Sequence, residues 1–306
     1  MKKVLRIHLP GGLGNQVFSY LGALGVCLEN NLSLDVCLEC LDSKHTNNAY
    51  DIRSLNFDSL MAKKRSAHPG RKLYRLRNGI ARRIGVIAVM SDLILGVVVE
   101  NRGKNQEAFD TQLNKAIRRK FVRVINCYAY FQNCTKIMNL PVEKRVISRH
   151  ANSHKFISLA REIEDARPVM MHVRLGDYLE PSNLNTIGVL SSEYYKNAIL
   201  SLSPELQKRE VWVFSDDIKE AKRLHSQISK RVRFIEHDPS DDPAEAMFLM
   251  TLGDATICAN STFSLASCLV NPNKRDIVVP ETWTKDNNLP PPGYLPSWIQ
   301  VESKWI

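Results

Sequence analysis

Apolar and polar positions along this chain fall into two rhythms. Short runs rich in Val, Ile and Leu recur at 4–9, 32–38, 121–133, 169–173, 209–215, 232–237, 255–260 and 276–280, the last of them. Between them lie longer stretches whose apolar residues return at helical spacing: 15–29, 143–167, 191–203, 217–229, 242–254 and 261–270. The short runs predict strands and the longer stretches predict amphipathic helices. Strands alternating with helices imply βαβ units around parallel sheets, so the expected fold class is α/β. A Pro-rich tail at 287–298 predicts irregular structure. The longest apolar run, 84–99, is interrupted by Asp92 and is shorter than the ~20 residues of a membrane span. It reads as buried helix or strand.

Length divides the pattern in two. A single hydrophobic core stops growing near ~250–300 residues, and the chain has 306. Two domains are expected, 1–150 and 151–306, each with its own α/β rhythm. With 44% hydrophobic and 24% charged residues the composition is that of a soluble globular protein. The net charge of +10 favours an anionic partner, a solvated basic surface being the plainer alternative. Nine Lys or Arg and no Asp or Glu lie within 61–83, where a contact with an anionic membrane or acceptor competes with a simply solvated face. That run has one aromatic, Tyr74, and so lacks the stacking series expected of a nucleic-acid binder. The seven cysteines are scattered. Cys37 and Cys40 make a single C-x-x-C without a second pair at zinc spacing, which suits reduced thiols in a cytosolic protein. The first strand follows Met1-Lys2-Lys3 directly, so no signal peptide is expected.

Four strand exits carry residues that a core does not need. In parallel sheets ligands bind beyond the carboxyl ends of the strands. The run "HLPGGLGNQ" (8–16) is a Gly-rich turn feeding a helix, a form that brings backbone amides near a ligand or merely makes a tight turn. "HVRLGD" (172–177) offers Arg174 either to a phosphate or to a salt bridge with Asp177. "VFSDD" (213–217) places Ser215, Asp216 and Asp217 at a helix start, where capping is expected of at least one. "CANSTFSLAS" (258–267) sets Asn260, Ser261, Thr262 and Phe263 at another strand-to-helix turn, fit to cradle a diphosphate or to cap. No D-x-D triplet occurs, so a metal–nucleotide clamp lacks its usual sequence form, and no G-x-S-x-G elbow points to a nucleophilic triad.

In this order the stretches resemble the bacterial α-1,2-fucosyltransferases, the glycosyltransferase family 11. The resemblance rests on "GGLGNQVF" (11–18), "YFQN" (130–133), "HVRLGDY" (172–178), "SSEYYKNAI" (191–199), "FSDD" (214–217) and "FLMTLGDATICANSTFS" (248–264). It runs from about residue 5 to about residue 284. Two positions depart from the family pattern: Leu175 stands where a second Arg is usual, and Leu265-Ala266 where an aromatic pair is usual. The resemblance implies a GT-B-like architecture of two Rossmann-like domains facing a cleft, with GDP-β-L-fucose in the C-terminal one. It implies metal-independent, inverting transfer to the 2-hydroxyl of galactose, in a galactose-containing oligosaccharide or lipid-linked glycan of a surface polysaccharide. The setting implied is cytoplasmic, peripheral on the inner membrane, with no nucleic acid as partner.

The site residues follow from it. Arg174 would neutralise charge growing on the β-phosphate, helped by Ser261 and Thr262. Asp177 or Glu180 would take the acceptor proton. His172 and Asp254 would reach the guanine and its ribose. Asp216, Asn260 and Phe263 would complete the donor site, and Gly14 and Asn15 would line the opposite side. Two other readings stay open: a different GDP-linked deoxysugar as donor, and a basic protein that binds nucleic acid or an anionic surface.

Overall fold

The computed structural model of the protein describes residues 2–9, 11–37, 52–57, 97–101, 106–148, 154–238, 241–271 and 276–306. The basic run 61–83, Cys40 and most of the apolar run 84–99 lie outside them. The chain forms two compact units, one from residues 1–49 and 60–132 and the other from 50–59 and 133–306.

The first unit is a four-stranded parallel sheet in the order β2-β1-β5-β4, built from β1 (Val4–His8), β2 (Ser33–Cys37), β4 (Val97–Glu100) and β5 (Val124–Tyr128). Helix α1 (Leu13–Glu29) follows β1, and α2 (Gln106–Arg118) joins β4 to β5. Leu5, Ile7, Val17, Phe18, Leu21, Phe109, Leu113, Ile125 and Cys127 are all buried in this unit. The loop after β5 lies close to α1. A methyl on Gly22 would collide with the Phe131 side chain, whose Cγ lies 2.8 Å away, and the hydroxyl of Ser19 lies 2.8 Å from the carbonyl oxygen of Ala129.

The second unit holds the remaining elements. A short antiparallel pair joins β3 (Asn56–Phe57) to β6 (Ile147–Ser148). A six-stranded parallel sheet runs in the order β12-β11-β10-β7-β8-β9, from β7 (Val169–Val173), β8 (Val211–Ser215), β9 (Val232–Phe234), β10 (Ala255–Ile257), β11 (Asp276–Pro280) and β12 (Ile299–Val301). Its helices are α3 (Cys134–Met138), α4 (Val142–Arg145), α5 (His154–Ala166), α6 (Pro181–Thr186), α7 (Ser192–Leu200), α8 (Ile218–His225), α9 (Pro243–Thr251) and α10 (Thr262–Leu269).

Alternation explains the unbroken apolar strands. Val169, Met171 and Val173 of β7 join one core cluster, with Val211, Val213, Ala255 and Ile257 from the neighbouring strands. Met170, Trp212 and Phe214 point to the other face and join a cluster with Phe156, Ile163, Leu249 and Met250. A strand covered by helices on both faces has no polar side to show. Asp217 and Ser261 cap their helices as the sequence suggests, and Asp242 does the same for α9, each accepting a backbone N–H in the first turn.

Three expectations are corrected. The division falls after Gln132 rather than at 150, because α3 and α4 pack into the second unit: Arg145, buried at the end of α4, donates to the carbonyls of Leu269 (2.6 Å) and Asn271 at the end of α10. The expected continuous helix 143–167 is broken, because Ile147 and Ser148 pair as a strand with β3. The strand β12 follows the Pro-rich tail and pairs with β11, so 276–280 is not the last strand. No helix among the described residues is long and apolar enough to cross a membrane.

Gly22→Ala should cost roughly 1–3 kcal/mol, the usual range for a forced methyl in a packed site. Chemical denaturation reads it as a lower midpoint, and an unchanged midpoint would mean that Phe131 moves aside freely.

Candidate active site

Both large sheets contain a point where the strand order reverses. In the second unit β8 lies on one side of β7 and β10 on the other, so the loops leaving β7 and β10 diverge at their carboxyl ends. Such a switch point is where open α/β sheets hold ligands. His172, Arg174, Asp177, Asn260, Ser261, Thr262 and Phe263 all belong to these two loops and strand ends, and Asp216 follows β8 alongside.

Arg174 is the centre of the arrangement. Its Nη1 donates to Asp216 Oδ2 at 2.8 Å and its Nη2 donates to Asp177 Oδ1. Its guanidinium carbon lies 5.0 Å from the centroid of the Tyr178 ring. Asp216 uses its second oxygen to accept the Leu175 N–H at 2.9 Å. One carboxylate therefore fixes both the cation and the backbone that carries it. The backbone must turn sharply to allow this: Gly176 sits at φ +32°, and a Cβ there would strike the Asp216 carboxylate. A short 3₁₀ turn, Gly176–Leu179, then carries Asp177 outward. The Asp177 side chain is 55% exposed against 27% for Asp216, so Asp177 is the looser of the two partners. Glu180 is exposed and lies just before α6.

His172 is buried, and its Nδ1 has no hydrogen-bond partner among the described residues. Burial lowers its pKa to about 3, with Arg174 adding to the effect, so the ring is neutral. Its centroid is 5.3 Å from that of Phe263. On the β10 side, Asn260 donates through Nδ2 to the Gly188 carbonyl at 3.1 Å, while its Oδ1 is buried without a partner among the described residues. Ser261 caps α10 through the Phe263 N–H at 3.3 Å. Thr262 opens that helix and is half-buried. The exits of β7 and β10 thus carry an unpartnered ring nitrogen, an unpartnered amide oxygen and the start of α10.

Three tyrosines from the motifs "HVRLGDY" and "SSEYYKNAI" build this edge, a role the sequence did not assign to them. Tyr194 and Tyr195 on α7 are buried and donate to the carbonyls of Cys258 (2.8 Å) and His172 (3.1 Å), one on each side of the switch point. Burial raises both phenol pKa values, so the hydroxyls stay protonated and keep donating. Tyr178 donates to the Asn260 carbonyl at 3.3 Å and so ties the two loops together. Adjacent tyrosines at a helix start were visible in the sequence, but nothing there marked them as braces.

Asp254 does not join the group. It precedes β10 at the amino end of the sheet, where its Oδ2 accepts from Arg209 (2.6 Å) and Arg167 (2.7 Å). Its position is that of a structural ion-pair hub, away from the strand ends that carry Arg174. Asp217 acts as the cap of α8, accepting the Glu220 N–H at 3.0 Å. Leu175, Leu265 and Ala266 are fully buried core residues.

The first unit has its own reversal, β5 lying on the other side of β1 from β2. The first turn of α1 and the loop after β5 meet there: Asn15 Oδ1 accepts from Gln132 Nε2 at 3.0 Å. Of the three glycines in the turn only Gly11 is left-handed, at φ +77°. Gly12 is the extended N-cap of α1 and Gly14 lies inside its first turn, because the helix starts at Leu13 rather than Asn15.

A family model described as Glycosyl transferase family 11 matches residues 113–302. The O-antigen biosynthesis glycosyltransferase WbnK of Escherichia coli is 27% identical over 300 residues, covering 92% of this chain and 95% of that protein. An α-1,2-colitosyltransferase of Escherichia coli is 26% identical over 310 residues, covering 96% and 98%. Among solved structures, the NodZ α-1,6-fucosyltransferase co-crystallized with GDP superposes with a TM-score of 0.50 at 13% identity, over 89% of this chain and 93% of that one. That likeness shows the fold, which is GT-B-like.

Acid should expose the buried imidazoles. Unfolded, a histidine titrates near 6.5; folded, His172 is held at about 3 and His225, buried beside Tyr195, at about 4. Between these limits the unfolded chain binds more protons, so the stability they contribute is complete above pH 6.5 and is lost as pH falls. Each should remove about 1.5 kcal/mol between pH 6.5 and 5. Urea denaturation across that range measures the slope, which His225→Gln should make shallower; an unchanged slope would show that His225 is not held neutral.

Proposed function

The chain belongs to glycosyl transferase family 11, and from that premise we propose that it transfers L-fucose from GDP-β-L-fucose to the 2-hydroxyl of a galactose-containing acceptor, inverting the anomeric carbon. It is a glycosyltransferase of fucosyltransferase type. Arg174, held at the switch point by Asp216, is the observation that carries the finer reading. The acceptor we propose is an oligosaccharide or lipid-linked glycan of a surface polysaccharide, assembled in the cytoplasm. WbnK, named for O-antigen biosynthesis, supports this reading.

The proposed chemistry is an in-line displacement. The acceptor oxygen bonds to the anomeric carbon as the bond from that carbon to the β-phosphate oxygen breaks, and GDP leaves with the electron pair. Charge grows on the phosphate, and a preformed cation lowers that cost. Arg174 supplies it without a metal ion. The guanidinium already has two carboxylate partners, so an incoming diphosphate competes for it. Asp177, the more exposed partner, yields its place, while Asp216 keeps the guanidinium aimed. The released Asp177 carboxylate then takes the acceptor proton, with Glu180 as the second candidate. His172, Phe263, Asn260, Ser261 and Thr262 form the donor bed; Asp254 has no part in it.

The donor has a second reading. The colitosyltransferase relative favours another GDP-linked deoxysugar. Leu175, Leu265 and Ala266 do not decide between the two, since all three are packed in the core. A donor screen with lactose-type acceptors, read by mass spectrometry, distinguishes them. Fucosyl transfer that persists in excess EDTA is expected; no transfer from GDP-fucose alongside transfer from another GDP-deoxysugar would replace the proposed donor.

The two neighbours Arg174 and Leu175 should fail differently. Arg174→Ala should lower kcat by roughly 10²–10³-fold with melting little changed, and Arg174→Lys should recover little, since an ammonium lacks the planar fork. Leu175→Ala should cost ~2–5 kcal/mol of stability and spare turnover per folded molecule. Full turnover in Arg174→Ala would remove the assignment.

A further inference from the structure

The amino-terminal edge of the first unit's sheet carries a feature that donor and acceptor binding leave unused. The segment 115–123 holds Lys115, Arg118, Arg119, Lys120 and Arg123 without one Asp or Glu. All five are exposed, on the last turn of α2 and the turn into β5. Between them Phe121 stands 79% exposed. The chain start adds to the same edge, because Val4 N–H donates to the Arg123 carbonyl at 2.8 Å and Lys2 beside it is exposed. Lys3 is engaged otherwise, donating to the carbonyls of Ile117 and, at 2.8 Å, Arg119 at the end of α2. That contact fixes the turn which presents Phe121. Leu28, 51% exposed, lies on the last turn of α1, which ends at this edge too. Among the described residues, Lys2, Lys115, Arg118, Lys120 and Arg123 pair with no carboxylate.

We propose that this edge is a docking surface for an anionic lipid bilayer, with Phe121 entering the headgroup region and the surrounding cations meeting lipid phosphates. The chemistry of the patch selects that partner. Unpaired cations gain from a negatively charged surface and lose little in reaching it. A large exposed apolar ring among them gains when it leaves water at an interface. A lone phenylalanine is not a stacking series, which a single-stranded nucleic acid would need. The placement also suits the rest of the unit. The loop with Asn15 and Gln132 lies at the opposite, carboxyl edge, about 17 Å away by the rise of the five-residue strand β1, and stays clear of the bilayer. The inference is independent of the donor and of the reaction.

Sedimentation with lipid vesicles tests it on the full chain. Vesicles of phosphatidylcholine mixed with phosphatidylglycerol should carry the protein down at low salt and release it at high salt, and pure phosphatidylcholine should not carry it. Lys120→Glu with Arg123→Glu should weaken the partition about tenfold or more, and Phe121→Ser several-fold, while circular dichroism and melting temperature show that both variants are folded. Equal binding to neutral and mixed vesicles overturns the proposal. So does vesicle binding that survives both variants, which places the contact elsewhere, the run 61–83 included. Retention of single-stranded RNA without vesicle binding makes the edge a nucleic-acid surface instead.

Discussion

The contact between Asp216 and the end of β7 organises the second unit's working edge. A strand leaving a parallel sheet normally scatters its last residues into solvent. Here one carboxylate from the next strand holds a backbone N–H and a guanidinium together, at Leu175 and Arg174. The ion pair itself is half-exposed and contributes on the order of 1 kcal/mol at most. Its value is geometric. It costs the chain a glycine at 176 and a backbone bend, and it sets the direction of a cation that would otherwise sample many rotamers. Leu175 completes the clamp from the other side by burying its side chain in the core as Arg174 faces outward.

The edge is braced from below by groups that keep one protonation state. Tyr194 and Tyr195 place hydroxyl donors against the carbonyls that end β10 and β7. Burial keeps those phenols neutral, and it keeps His172 neutral as well. The buried groups at the switch point therefore add no charge to that of Arg174 and its carboxylate partners. Under the proposed reaction, a diphosphate would meet one cation, one displaceable acid in Asp177 and a second acid, Asp216, that stays to aim the guanidinium. This fits an electrostatic role that requires little rearrangement at the moment of reaction.

The alternation of apolar runs made β7, β8, β10 and β11 legible, because strands buried on both faces leave a dense signal. The strand exits drew attention to Arg174, Asp216 and the 260–263 turn for the same reason, as polar residues have no business at the end of a core strand without a partner. Three things were hidden. The three-residue strand β12 is too short to show a period, and the prolines before it suggested an irregular end. The break at Ile147 and Ser148 depends on β3, at Asn56 and Phe57 far earlier in the chain, a pairing that local periodicity cannot reveal. The direction of the two tyrosine hydroxyls depends on the packing of α7 over the sheet.

Asp254 shows how a motif can mislead when strand polarity is ignored. It stands immediately before Ala255, so in a parallel sheet it must lie at the amino end of β10. Its neighbours there, Arg167 and Arg209, each stand two residues before a strand, β7 and β8, and converge on it. The two edges thus divide the work. Strand exits carry groups with unmet hydrogen-bonding capacity, such as His172 Nδ1 and Asn260 Oδ1, whereas strand entries carry acids and bases already satisfied by one another. Unmet capacity in a buried group is costly unless a ligand answers it, and at the exits of β7 and β10 His172 Nδ1 and Asn260 Oδ1 carry that cost.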